Sequence, residues 1–218
     1  MEQLFKPSAN ALFRGGIVGL ILLVGGLASV VVAFQLSPNV TKVHVPLVQP
    51  VPFSHQDHAG SFGIACRYCH TSVETSSFAG LPPAETCMSC HSQIWADNPL
   101  LEPIRESFRS GQPVRWNRVY DMPDYAYFRH NLHVNKGIGC STCHGRVDQM
   151  PLTWKEHALR MDWCLDCHRN PQRFVRPQSE IYNMAWEPPA NQAEVGPALA
   201  RKSGLRSEGL MDCYVCHR

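Results

Sequence analysis

The stretch Phe128-Arg-His130-Asn-Leu-His133-Val-Asn-Lys-Gly-Ile-Gly-Cys140-Ser-Thr-Cys143-His144 decides how this chain folds. It closes on C-x-x-C-H. The same motif stands at Cys66-Arg-Tyr-Cys69-His70, Cys87-Met-Ser-Cys90-His91, Cys164-Leu-Asp-Cys167-His168 and Cys213-Tyr-Val-Cys216-His217. The five copies use all 10 cysteines of the chain. The pattern is that of covalent c-type haem attachment. Two thiols add across the two vinyl groups of one haem, and the turn between them brings the next residue, His, under the iron. Zinc sites or disulfides would leave the trailing histidine unexplained five times. The spacing therefore assigns Cys66, Cys69, Cys87, Cys90, Cys140, Cys143, Cys164, Cys167, Cys213 and Cys216 to thioether bonds. It assigns His70, His91, His144, His168 and His217 to the proximal iron positions, for five haem c groups in all.

Upstream of the motifs a second element recurs. Phe53-Ser-His55-Gln-Asp-His58 precedes the motifs at 66 and 87, and Phe128-Arg-His130-Asn-Leu-His133 precedes those at 140 and 164. The F-x-H-x-x-H copies and the motifs that follow them repeat at offsets of 75, 74 and 77 residues. A unit of one F-x-H-x-x-H and two haem motifs is thus used twice, over 53–91 and 128–168, with the fifth site at 213–217 standing alone. Five of the 11 histidines are spent as proximal ligands. His55, His58, His130 and His133 then match in number the four distal positions of the duplicated unit. The first of each pair is expected on the haem that follows it, and the second can cross to a neighbour. For the fifth distal position Met150 and Met161 lead, with His157 and His44 behind. Methionine in that position raises the potential relative to two histidines.

Composition excludes other classes. The chain has 218 residues and a formal net charge of +2, too balanced for the basic face of a nucleic-acid binder. Its apolar content of 44% is concentrated near the N-terminus, where Ile17–Ala33 is almost wholly apolar. The rest is rich in Pro, His, Cys and Arg, so porphyrins must take the place of an aliphatic core. Arginine outnumbers lysine 15 to 5. Planar guanidinium groups pair bidentately with carboxylates, and part of this bias reads as pairing with haem propionates.

Haem c is attached outside the cytoplasm, and the N-terminus supplies the route. Lys6 and Arg14 precede an apolar run longer than a signal-peptide core and near the roughly 20 residues that span a bilayer. The expected layout is a cytoplasmic segment over 1–14, a retained transmembrane signal anchor over 15–34, a Pro-rich extended linker over 35–52 and a pentahaem domain over 53–218. Positive residues on the short inner side put the haem domain on the periplasmic face of the cell membrane. Glycines at 15, 16, 19, 25 and 26 give small-xxx-small spacings that suit close packing on partner helices. The fold class is a multihaem cytochrome c: mostly irregular chain with short α-helices packed around five haems, plus one N-terminal transmembrane helix. Two longer helices are predicted. One begins at Asn98-Pro99 and ends at Gly111, with Leu100, Leu101, Ile104 and Phe108 on one face. The other begins at the capping-box sequence Thr153-x-x-Glu156 and carries Trp154, Ala158, Met161 and Leu165 as a stripe into the fourth motif.

The anchor, the five sites, the paired histidines and the segments Cys66-Arg-Tyr-Cys69-His70-Thr-Ser-Val-Glu, Asn135-Lys-Gly-Ile-Gly-Cys140 and Met161-Asp-Trp-Cys164-Leu-Asp-Cys167-His168-Arg169 resemble the pentahaem cytochrome c subunit (ActA) of alternative complex III. The likeness covers most of the chain, from about residue 10 to 217. It implies a quinol:electron-acceptor oxidoreductase of a respiratory or photosynthetic membrane. Iron–sulfur and polytopic membrane subunits oxidise menaquinol there, and a monohaem cytochrome c or a soluble acceptor receives the electrons. The H-x-x-H elements are also similar to those of small tetrahaem class III cytochromes. His157 does not stand at a position where the family is expected to keep histidine. Two other classes compete. A pentahaem nitrite reductase needs an open iron, typically at a lysine variant of the motif, and no C-x-x-C-K occurs. A self-sufficient membrane-anchored quinol dehydrogenase places a haem close to its anchor, whereas about 30 residues separate Phe34 from Cys66.

Overall fold

The computed structural model describes residues 5–217. It divides into two units, 1–42 and 43–218. The first holds helix α1 (Pro7–Leu36) and a single helical turn, α2 (Pro38–Thr41). The apolar stretch of α1, Ser8–Leu36, is 29 residues long and none of it is buried. At 1.5 Å per residue it is about 44 Å long, more than the roughly 30 Å hydrocarbon thickness of a bilayer. No ionisable residue lies between Arg14 and Lys42. Ser29 satisfies its hydroxyl within the helix, donating to the Gly25 carbonyl at 2.8 Å.

The second unit is built from short helices and irregular chain. After a π-helical turn (Gln56–Ser61) come α3 (Cys66–Cys69), α4 (Ala84–His91), α5 (Glu102–Ser110), α6 (His130–Asn135), α7 (Cys140–His144), α8 (Met161–Arg169), α9 (Gln192–Lys202) and α10 (Cys213–Cys216). Among the described residues strand pairing is confined to three isolated bridges, Val43 with Lys155, Ala126 with His217 and Ile138 with Val175. Each C-x-x-C segment is helical, so the two thiols of a motif sit about one turn apart.

The polypeptide alone buries few apolar side chains. Val73, Val134 and Ile181 form one small cluster, flanked by Ala79 and Tyr182. Ile138, Val175 and Ala200 form another with Phe174, Leu199 and Leu205. By contrast Tyr68, Leu81, Ile94, Trp95, Leu132 and Tyr214, all close in sequence to a motif or a paired histidine, are exposed. A domain of this length normally buries far more apolar surface, and that deficit is what a fold built around large apolar cofactors produces.

The structure departs from the sequence reading in three places. The expected linker over 35–52 is not free chain throughout. It begins with the turn of α2, and from Val43 it lies along the second unit. His44 N–H donates to Lys155 O at 2.8 Å, and Gln49 and Asn117 exchange two hydrogen bonds at 2.8 and 2.9 Å. The helix expected from Asn98 to Gly111 is split: Asn98 Oδ1 accepts from Leu100 N–H at 2.9 Å and caps a 3-10 turn over Pro99–Leu101, and α5 begins only at Glu102. Gly111 closes it in the left-handed region at φ 69°. Of its expected apolar face, however, only Ile104 is buried.

The third departure is the largest. The predicted capping box at Thr153–Glu156 does not form, and α8 starts only at Met161. Glu156 is engaged elsewhere: its carboxylate accepts from Trp154 Nε1 and meets His44 Nε2, both at 3.2 Å, while its N–H donates to Tyr120 Oη at 2.8 Å. Leu159, at φ 49°, then breaks any helical continuation. Trp154 and Ala158 therefore share no helix with Leu165.

Candidate haem-binding site

The two F-x-H-x-x-H segments fold into short turns that present both histidines on one side. At each, the phenylalanine packs between the two imidazoles. Phe53 lies 4.9 Å from His55 and 4.4 Å from His58 between ring centres, and Phe128 lies 4.8 Å from His130 and 4.2 Å from His133. Across from them stand the motif histidines. His55 faces His70 at 6.5 Å with 9° between ring planes, and His130 faces His144 at 6.3 Å and 9°. His58 faces His91 at 6.1 Å and 54°, and His133 faces His168 at 6.2 Å and 30°. Two imidazoles bound to opposite sides of one metal, each at a metal–nitrogen distance of about 2 Å, put their ring centres roughly 6 Å apart. The four spacings fit that arrangement.

The hydrogen bonds fit it too. Nδ1 of His70, His91 and His168 pairs with the carbonyls of Gly80, Ile94 and Leu210 at 2.8–2.9 Å, and that of His217 with Tyr125 O at 3.3 Å. Nδ1 of His58, His130 and His133 pairs with the carbonyls of Ser54, Ser77 and Arg129, and Nδ1 of His55 with Thr153 Oγ1. Each of these bonds orients its ring and leaves Nε2 for a metal, and those to carbonyls also fix the tautomer. Burial, with neighbouring histidines adding to it, holds His55 and His144 down at about 4, so both are neutral imidazoles, as ligation requires.

Several of the cysteines sit where burial disfavours the thiolate that a reactive or zinc-bound cysteine needs. None is in a disulfide, and among the described residues no group of three His, Cys, Asp or Glu could hold a metal ion. Burial pushes the Cys143 thiol up to about 12 and those of Cys140 and Cys167 up to about 11. A nucleophilic cysteine needs the opposite shift.

Contacts between sites define an order that is not the order in sequence. Tyr68, between the cysteines of the first motif, meets Ser89, between those of the second, at 3.1 Å. Sites one and three support each other reciprocally: Thr153, beyond the third motif, holds His55, and Ser77, beyond the first, holds His130. Asn135 Nδ2 adds a bond to Glu74 O at 3.0 Å. Phe128 bridges the distal histidines of sites three and four. Leu210, three residues before the fifth motif, holds His168 of the fourth. Thiol electrostatics link the same pairs: after burial, the largest influence on Cys87 is Cys69, on Cys140 Cys66, on Cys143 Cys167 and on Cys164 Cys216. The line runs from the motif at 87 through those at 66, 140 and 164 to that at 213.

The fifth site differs from the others. His217 lies on the segment 125–127, where Tyr127 N–H donates to Cys216 O at 3.0 Å, and its ring stacks near Tyr125 at 5.9 Å. Neither Met150 nor Met161 makes a described contact with it. Met150 is fully buried beside the first site, its carbonyl accepting from Gln56 N–H at 3.1 Å. Met161 is 61% exposed at the start of α8, one turn before Cys164. His157 stacks on Trp163 at 5.1 Å, and His44 is held by Glu156. One residue that sequence reading passed over stands against the third motif. Arg176 is buried, and its guanidinium reaches Ser141 Oγ and Thr142 Oγ1 at 3.1 and 2.9 Å.

No family model matches the chain. It is similar to the menaquinone reductase multihaem cytochrome c subunit of Nitratidesulfovibrio vulgaris, with 37% identity over 143 residues that cover 56% of this chain and 68% of that protein.

Proposed function

We propose, from the premise that this chain belongs to the multihaem cytochromes c, that it binds five covalent haem c groups and relays electrons along them in a quinol-linked membrane oxidoreductase. The observation that carries this reading is the set of four imidazole pairs at 6.1–6.5 Å, linked into one line. Bound haem iron supplies one-electron exchange. The chain supplies the rest. The ten cysteines fix the rings, and His70, His91, His144, His168 and His217 take the proximal positions. His55, His58, His130 and His133 fill the facing ones and close those irons to substrate. For the fifth distal ligand Met161 is the better placed candidate, because Cys164, one turn on, is a neighbour of Cys216. Met150 lies at the other end of the line.

The anchor helix α1 spans the membrane in this reading, and the haem domain faces the periplasm. One helix with no ionisable residue beyond Arg14 cannot enclose a quinol pocket with a proton exit. Quinol chemistry therefore belongs to iron–sulfur and polytopic partner subunits, as in alternative complex III, and electrons leave to a monohaem cytochrome c, a soluble carrier or a terminal oxidase. A second reading, with electrons running inward, is favoured by the name of the relative, a menaquinone reductase.

Purification from detergent-solubilised membranes, followed by menaquinol assays, separates these readings. A complex that reduces an external cytochrome with menaquinol supports the first. One that only reduces menaquinone from a periplasmic donor supports the second. Menaquinol turnover by the purified single chain would refute the relay role and favour a self-sufficient quinol dehydrogenase.

A further inference from the structure

We propose that the haem at Cys140–His144 has the highest reduction potential of the four histidine-paired sites, and that Arg176 is the positioning charge that raises it. The inference rests on the haem reading above. Two independent features of the third site carry it.

The first is a buried cation to which, among the described residues, no carboxylate of the chain is paired. Arg176 is 4% exposed. Its Nη1 donates to the carbonyls of Glu180 and Asn183 and its Nη2 to the hydroxyls of Ser141 and Thr142, the two residues between the motif cysteines. Its planar group lies over the Trp186 ring at 4.3 Å. Its Nε is buried and has no acceptor. Among the described residues no carboxylate forms an ion pair with it. Glu180 is the carboxylate in electrostatic reach, and its Oε2 accepts instead from Asn183 Nδ2 at 2.7 Å. A guanidinium remains charged in such a place, and burying it unpaired is costly. The fold is shaped to keep it there: a Cβ at Gly139 would fall 2.2 Å from Arg176 Cζ. Arg173 lines the same recess, its charge met by Asp166 Oδ1 at 3.9 Å.

The second feature is the proximal histidine. His70, His91, His168 and His217 each present Nδ1 to a backbone carbonyl. The His144 side chain makes no hydrogen bond to another described residue; its ring meets the edge of Tyr120 at 4.6 Å. An Nδ1–H donated to an acceptor makes the imidazole a stronger base and favours the ferric state. Without that bond the ferrous state gains. A fixed positive charge at the same site acts in the same direction, because reduction lowers the charge of the haem by one. Two unit charges about 10 Å apart at an effective dielectric near 20 shift such an equilibrium by at least tenfold. An electron entering the line would then settle at its middle.

The test is a spectroelectrochemical titration of the full chain in detergent, with haem counted independently by pyridine haemochrome. His130→Ala should remove the histidine-paired low-spin component that is reduced first, whereas His55→Ala, His58→Ala and His133→Ala should leave it. Arg176→Gln should lower that component at least tenfold in its reduction equilibrium, about 59 mV for one electron, and Arg176→Lys should keep it near the wild-type value. Survival of the first-reduced component in His130→Ala overturns the assignment of the site, even if Arg176→Gln does not fold. An unmoved component in Arg176→Gln at full haem content overturns the role of the arginine. A wild-type chain with fewer than five haems sinks the underlying reading instead, and the haem count tells the two failures apart.

Discussion

Replacing Gly60 by alanine should unseat the distal histidines of the first two sites. Gly60 lies in the π-helical turn Gln56–Ser61 that carries His58. A Cβ there would stand 2.2 Å from the carbonyl oxygen of Asp148, where ordinary contacts begin near 3.4 Å. The obstacle is backbone and cannot swing aside. Asp148 is also tied down: its two carboxylate oxygens accept from Arg146 Nε and Nη2 at 2.8 and 2.7 Å. The two turns must therefore part by about 1 Å, and overpacking of this kind costs about 1–3 kcal/mol. That separation also matters for ligation. A metal–nitrogen bond is about 2 Å long, so an imidazole carried 1 Å outward loses it. Optical and electron paramagnetic resonance spectra of Gly60→Ala should show high-spin haem at one or both of the first two sites. The sites at 140–144 and 164–168 should stay low-spin. Ser61→Ala is the control, because its hydroxyl makes only one bond, 3.3 Å to Gln56 O within the same turn. Five low-spin haems and unchanged unfolding free energy in Gly60→Ala would refute the steric reasoning.

Intact mass after denaturation should exceed the 24.5 kDa of the chain by five haems, with no thiol left to titrate; four haems would contradict the motif reading. A methionine–iron charge-transfer band should vanish in Met161→Leu and persist in Met150→Leu, and the reverse would move the fifth ligand to Met150. Burial holds His55 and His144 at about 4 against an ordinary 6.5. Their contribution to stability is complete above pH 6.5 and is lost as the pH falls toward 4. The haem-free chain should accordingly lose stability over that interval, and a flat unfolding profile down to pH 4 would contradict it. Alkaline carbonate should leave the protein with the membrane, and its release would argue against a spanning α1.

What could be read in the sequence was whatever follows from covalent spacing. C-x-x-C-H specifies its own local turn, and the offset between the F-x-H-x-x-H copies announces the duplication, so the histidines that the fold sets face to face had already been singled out. The end of α5 and the turn that precedes it were legible for the same reason, since Gly111 and Asn98 act on their immediate neighbours. Longer-range competition was not legible. Thr153-x-x-Glu156 has the form of a helix start, but Tyr120 and His44, distant in sequence, take both the backbone and the carboxylate of Glu156. Nothing local marks the chain from Val43 as adherent, because its bonds run to Lys155 and Asn117. Arg176 had no signal beyond the general excess of arginine; only the glycine at 139, small where its side chain must pass, hinted at it.

The reciprocal bonds between the first and third sites bear on how the protein is made. His55 is steadied by Thr153 and His130 by Ser77, so neither half of the duplication is complete without the other. The first distal ring of the early half gains its anchor only after about a hundred further residues have been synthesised. A chain truncated between the halves would therefore be an unlatched fragment rather than a smaller cytochrome, with His55 deprived of its Thr153 partner.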